Sequence, residues 1–229
     1  MSIVKRKRGD LFDRIEHEFN RKAGTNQVFW PTASMRYCTS DMKRDTLLSV
    51  QRRMGGVVIC AQGMRAAESP GRARRPILAI EPRATAKRLK HLEPAEAIAN
   101  RRPNERVVLN WQPIHHLTDA EVWEACGTSV TELEYRRAAY RRFLTSKSVA
   151  DLETAVLGWP CHVAYVYGAT RLSCALCIIA SASDLEVGAR HNPGAFGFLL
   201  DLEIRSGRSF QKAISLQDIA RRIDFAAAS

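Results

Sequence analysis

Val57-Val58-Ile59-Cys60-Ala61-Gln62-Gly63-Met64-Arg65-Ala66-Ala67-Glu68-Ser69-Pro70-Gly71-Arg72-Ala73-Arg74-Arg75 is the stretch on which the fold turns. Its first five residues are an apolar run bounded by Gly55-Gly56 before and Gln62-Gly63 after. That pattern predicts a short buried strand. A strand that empties into a glycine and then an arginine-dense loop is where α/β proteins place ligand contacts. Arg65, Arg72, Arg74 and Arg75 offer forked donors that suit phosphate or sulfate oxygens. The plainer alternative is a solvated basic loop.

On the N-terminal side, the apolar spacing of Leu11, Phe12, Ile15 and Phe19 predicts a helix over residues 10–22 that stops at Gly24. Thr39, Ser40 or Asp41 is placed to cap a second helix that carries Leu47, Leu48 and Val50 and ends at Gly55-Gly56. On the C-terminal side, residues 77–80 and 106–111 read as further strands, with helical content around residues 95–99. Thr118 and Glu121 have capping-box spacing ahead of a helix. His115 and His116 invite a metal reading, but polar residues at a strand-to-helix junction explain them as well. Trp111 and Trp123 read as core. Residues 135–143 form a basic helix whose Arg136, Arg137, Arg141 and Arg142 read as a wet face or a nucleic-acid contact. Helices are expected at 150–157, 184–190 (capped by Ser183 with Glu186), 196–204 and from Ser215 to Arg222.

The strands fall in the first half, so the chain reads as α/β with a boundary near residue 126. Residues 1–125 would form a partial α/β nucleotide-binding core. Residues 126–229 would form a helical region holding a cysteine-rich metal or cluster segment. At 229 residues, 45% hydrophobic and 26% charged, the composition is that of an ordinary globular protein. A net charge of +11 favours an anionic partner: a nucleotide, a sulfate or phosphate ester, or nucleic acid such as DNA or RNA. The run Lys5-Arg6-Lys7-Arg8 has no apolar stretch behind it and does not read as a signal peptide. No segment approaches the ~18–20 apolar residues of a membrane span. The expectation is a cytoplasmic chain with reduced cysteines, which favours metal or cluster ligation over disulfides.

Three of the six cysteines lie in a second stretch, Gly158-Trp159-Pro160-Cys161-His162 through Arg171-Leu172-Ser173-Cys174-Ala175-Leu176-Cys177. The Cys174–Cys177 spacing lets two thiolates turn back on one ion or cluster. It equally suits half a zinc site, a redox dithiol or two core thiols. Cys60, in an apolar run, and Cys126, after an amphipathic helix, read as inert core thiols.

Four segments, in order, resemble the phosphoadenosine phosphosulfate (PAPS) reductase-like family of the adenine nucleotide alpha-hydrolase and PP-loop proteins. Arg36-Tyr37-Cys38-Thr39-Ser40-Asp41-Met42-Lys43 is similar to its Arg-aromatic-Cys-Thr-x-Asp-Leu-Lys segment. Gly63-Met64-Arg65-Ala66-Ala67-Glu68-Ser69 through Arg72 resembles its Gly-x-Arg-x-x-Glu-Ser-x-x-Arg loop. Trp111-Gln112-Pro113-Ile114 with Val122-Trp123 resembles its Trp-x-Pro-Ile stretch and Val-Trp helix. His162–Tyr165 with Arg171–Ile178 is similar to the His-Pro-Ala-Tyr and Arg-x-Ser-Cys-x-x-Cys-Ile segment of phage and bacterial members, a subgroup similar to DNA phosphorothioation sulfur-transfer proteins.

The resemblance implies a partial adenine nucleotide alpha-hydrolase-like (Rossmann-like) parallel sheet and a role in sulfur transfer or nucleotide-dependent sulfur modification. It implies Arg65, Glu68, Arg72 and Arg171 as catalytic residues. Lys43, Gly63, Arg65, Ser69 and Arg72 would bind an adenine nucleotide, ATP or PAPS. Cys38, Cys161, Cys174 and Cys177 would hold a 4Fe-4S iron–sulfur cluster, or zinc with His162 as alternative fourth ligand. The family's Ser-Gly-Gly-x-Asp-Ser phosphate loop has no match in residues 1–35, and the Glu-Cys-Gly-Leu-His tail of thioredoxin-dependent reductases is absent. The expectation is therefore a PAPS reductase-like enzyme that is not self-sufficient, either a fragment of a longer chain or one whose PP-loop a partner chain supplies. The rival is a degenerate, non-catalytic basic subunit that binds nucleic acid or a partner and carries a structural zinc site.

Overall fold

The computed structural model describes residues 6–7 and 9–224; Lys5 and Arg8 of the basic run and the terminal Phe225–Ser229 lie outside the described residues. Helix α1 (Leu11–Arg21) is followed by α2 (Tyr37–Thr39), a π-helical turn (Ser40–Arg44), α3 (Asp45–Gln51) and strand β1 (Gly56–Ala61). Next come α4 (Pro70–Ala73), β2 (Leu78–Ile80), α5 (Pro94–Ala99) and β3 (Arg106–Trp111). Helices α6 (Asp119–Ala125), α7 (Val130–Ser146), α8 (Val149–Val156), α9 (Ala182–His191), α10 (Pro193–Ser206) and α11 (Leu216–Ile223) follow. The chain is α/β, about half helical, with a small three-stranded sheet that contains a parallel pair, consistent with a partial Rossmann-like fold.

The residues form two compact units. The first comprises Tyr37–Val122 with the N-terminal segment ending at Leu11. Its sheet has the order β1-β3-β2, with β3 central. β1 runs parallel to β3 in the register Gly56↔Arg106 through Ala61↔Trp111. β2 pairs antiparallel with β3, Leu78 opposite Trp111 and Ile80 opposite Leu109, so the sheet is mixed. Val107, Val108 and Leu109 of β3 are buried because both of its faces are covered. Val107 and Leu109 pack with Leu89 and Ala97 on one face, and Val108 packs with Leu48 and Ala84 on the other. Each of those three side chains contributes ~1.5–3 kcal/mol by leaving water.

Several expectations are corrected here. β1 is not a buried strand: Val57 and Ile59 are 41% and 61% exposed, because it is hydrogen-bonded on one side only and alternates in burial. Trp111, expected in the core, is 42% exposed at the end of β3. The second helical stretch begins at Tyr37, before the proposed caps, and Thr39 makes no side-chain cap.

The second unit comprises Phe12–Arg36 and the chain from Trp123 onward. Leu133, Ala139 and Tyr140 of α7 pack with Ala155 of α8 and with Trp159 and Val166 in one core cluster. Trp123, expected in the core, is partly buried against this cluster and meets Tyr165 edge-on at 4.9 Å. Trp30 is buried, donates Nε1–H to the Arg208 carbonyl at 3.0 Å and meets Phe210 edge-on. α9 starts two residues earlier than expected, because Ser181 rather than Ser183 accepts the Asp184 N–H. The α7 arginines are not all a wet face. Arg136 donates to the Ala155 and Leu157 carbonyls, and Arg137 to those of Tyr165 and Ala169. Among the described residues no helix is long and apolar enough to cross a membrane.

Candidate functional site

The parallel β1–β3 pair ends at Ala61 and Trp111, and the polar loop begins directly beyond. Gln62 donates its backbone N–H to the Trp111 carbonyl and its Nε2–H to Asn110 Oδ1 at 2.9 Å, which fixes how the chain leaves the sheet. Arg65 is extended and then enters a turn of 3₁₀ helix, Ala66–Glu68. Glu68 reaches back to accept the Arg65 N–H at 3.1 Å and also takes a hydrogen bond from the Arg72 guanidinium. Burial raises the Glu68 carboxyl, but these hydrogen bonds outweigh it and hold the group below its usual range. Ser69 Oγ caps α4 by accepting the Arg72 N–H at 3.2 Å. Four sequence-expected residues, Arg65, Glu68, Ser69 and Arg72, thus sit on one turn.

Arg65 is the distinctive member. Its side chain is 15% exposed, and Nη2 pairs with the carboxylate of Asp119, the first residue of α6. Nη1 is buried and has no hydrogen-bond partner among the described residues. Buried donors are nearly always satisfied, so an orphan of this kind marks a missing acceptor. Asp119 escaped the sequence reading because an acid in a helix first turn is ordinary dipole compensation. His115 is structural: its ring Nε2 lies 3.0 Å from the Arg72 carbonyl, and its own carbonyl accepts the Ala66 N–H. Gly63 has room for a methyl group, its nearest neighbour for a β-carbon being Ile114 Cδ1 at 3.8 Å. Lys43 is exposed within the π-helical turn, and Cys38 is half-buried in α2.

In the second unit, Arg171 donates Nη2–H to the Ile179 carbonyl at 2.6 Å and so closes the loop that carries Cys174 and Cys177. Cys174 is exposed and Cys177 half-buried. Cys161 lies beside Cys126 instead: burial, followed by the neighbouring Cys126 thiol, pushes the Cys161 thiol up. Cys126 is exposed, not a core thiol. Among the described residues no three His, Cys, Asp or Glu side chains gather to hold a metal ion. No chemistry is therefore routed through a metal centre.

The phosphoadenosine phosphosulfate reductase domain matches residues 12–136, more than half of the chain. The chain belongs to that family. No curated protein and no solved structure matches it. The matched span includes the Cys38 segment, the Arg65 loop and the Trp111 stretch, and it ends before the Cys161–Cys177 segment. The PAPS reductase family binds adenine nucleotide substrates, which agrees with an arginine-rich turn at the end of a parallel strand pair.

Proposed function

We propose that this PAPS reductase family protein binds the anionic part of an adenine nucleotide or sulfonucleotide, ATP or PAPS, on the loop after β1, and serves in sulfur transfer. The single observation that carries this reading is the buried, partnerless Nη1 of Arg65. A phosphate or sulfate oxygen is the acceptor that guanidinium geometry suits best. Arg72 would supply a second charge, with Glu68 as its positioning residue. Ser69 retains its hydroxyl proton to donate, and Gly63 and Lys43 would approach the same anion. Where charge develops on a phosphoanhydride or phosphosulfate, Arg65 and Arg72 would stabilise it. The test is thermal stabilisation by PAPS and by ATP. A ligand at 100 times its Kd adds about 2.7 kcal/mol to the folded state. That shift is expected in the native chain and lost in Arg65→Leu. No shift with either ligand overturns the reading.

The finer assignments rest on motif spacing. These are a phage or bacterial subgroup similar to phosphorothioation proteins, a partner chain supplying the PP-loop, DNA or RNA as partner, and an iron–sulfur cluster on Cys38, Cys161, Cys174 and Cys177. For the cluster, iron and acid-labile sulfide in anaerobically purified protein, lost in Cys174→Ala, are the expected outcome. Zinc alone would favour the structural reading with His162.

A further inference from the structure

Beyond the matched span, the second unit contains a cavity of about 540 Å³ whose walls include His162, Tyr167, Arg171, Cys174, Asp184 and His191. Its polar wall is one-sided. Asp184 is the carboxylate lining it, and both of its oxygens are engaged, accepting the Thr170 N–H at 2.7 Å and the Thr170 hydroxyl at 2.9 Å. The donors His162, Arg171 and His191 are, in contrast, exposed.

His162 Nδ1 accepts the Ala164 N–H at 3.2 Å, so in the neutral ring the proton sits on Nε2. His191 lies flat on Tyr167, ring centroids 3.8 Å apart, and its Nε2 is 2.7 Å from the Tyr140 hydroxyl. Burial holds His191 below its ordinary range and pushes Tyr140 up to about 12, so both are neutral near pH 7. Tyr140 is buried, and its hydroxyl proton is satisfied only by donating to Nε2, which places the His191 proton on Nδ1. Arg171 commits Nη2 to Ile179 and keeps its other N–H groups. No protein acceptor for the His162 Nε2–H, the His191 Nδ1–H or those guanidinium groups occurs among the described hydrogen bonds.

A concave site with convergent donors, one guanidinium, and both oxygens of its one carboxylate taken up by Thr170 favours an acceptor-rich anion. We propose that this cavity is a binding site for a small oxyanion of the sulfate or phosphate class, held by Arg171, His162 and His191 beside the Cys174 thiol. The inference stands apart from the nucleotide reading, since none of its residues falls within 12–136.

The test is protection of Cys174 from iodoacetamide, read by peptide mass spectrometry on the full chain. Cys126, exposed and outside the cavity lining, is the internal control. Sulfate and inorganic phosphate are titrated in separate arms against chloride and acetate at matched ionic strength. For so small a ligand a millimolar affinity is expected. The expected result is a saturable slowing of Cys174 labelling by about threefold or more, with Cys126 unchanged, as the thiol becomes shielded. Whichever tetrahedral anion acts at lower concentration identifies the preferred ligand. Arg171→Gln and His162→Gln should each raise the half-protecting concentration about tenfold or more. Equal slowing by chloride, equal slowing at Cys126, or protection that survives in both variants overturns the proposal. Because Arg171 also closes the loop at Ile179, His162→Gln keeps the test valid if Arg171→Gln fails to fold. Nucleotide stabilisation through Arg65 is read separately, so either proposal can fail alone.

Discussion

Arg65 and Asp119 tie the loop after β1 to the first turn of α6, and the pair leaves the second guanidinium nitrogen of Arg65 buried with no partner among the described residues. Asp119 is 76% exposed while Arg65 is 15% exposed, so the two ends of this ion pair have unequal weight. A carboxylate in water contributes at most about 1 kcal/mol to such a pair. Asp119→Asn should therefore change nucleotide affinity less than about fivefold. Arg65→Leu, which removes the buried donor, should cost more than about tenfold. Titration calorimetry with PAPS or ATP separates the two. Equal losses would mean that Asp119 sets the geometry of the site.

Gly188 of α9 faces the Ala175 carbonyl, and a β-carbon built on Gly188 would lie 1.9 Å from that oxygen. The obstacle is backbone, which no rotamer change relieves. Gly188→Ala should lower stability by about 1–3 kcal/mol, measured by urea unfolding. It should also displace the Cys174–Cys177 turn and change the rate at which Cys174 is alkylated. A stable variant with unchanged Cys174 reactivity would contradict this packing.

Glu203 is buried on α10, and both of its carboxylate oxygens accept the Leu216 N–H, at 2.9 and 2.6 Å. Leu216 is the first residue of α11, so the side chain satisfies an amide that the helix leaves open. Glu203→Ala should cost about 2–4 kcal/mol through the cavity and the orphaned amide together. Glu203→Gln keeps one acceptor and should cost less. Equilibrium unfolding of both variants checks the order.

Glu18 on α1 has its carboxyl lowered to about 2, first by the Arg21 hydrogen bond, against burial, and then by Arg14 and Lys22. The folded value lies below the unfolded value of 4.5, so the folded state favours the ionised carboxylate. This contribution is present above about pH 4.5 and is lost as pH falls towards 2. Glu18→Gln should flatten the acid limb of the stability curve in that window and leave its slope near neutrality unchanged. Denaturant midpoints between pH 2 and 7 provide the measurement.

Local chemistry made much of the chain legible. β3 occupies residues 106–111 as expected, because Val107, Val108 and Trp111 favour a pleated strand. Thr118 with Glu121, and Ser215 at the start of α11, cap helices as their spacing predicts. The turn that gathers Arg65, Glu68, Ser69 and Arg72 spans eight residues, so short-range hydrogen bonds assemble it.

What the sequence by itself determined is therefore the α/β class, the strand-to-loop order and the family, all of which follow from contacts between near neighbours along the chain. Tertiary structure alone decided that β2 runs antiparallel, that Trp111 is exposed while Trp123 packs, and that Arg136 and Arg137 serve distant carbonyls. It also decided that Cys161 sits with Cys126, 35 positions away (161 − 126), and that Asp119 leaves one nitrogen of Arg65 unsatisfied. Composition and spacing carry no record of such pairings, because a guanidinium or a thiol takes whichever partner the packed backbone brings within about 3–4 Å.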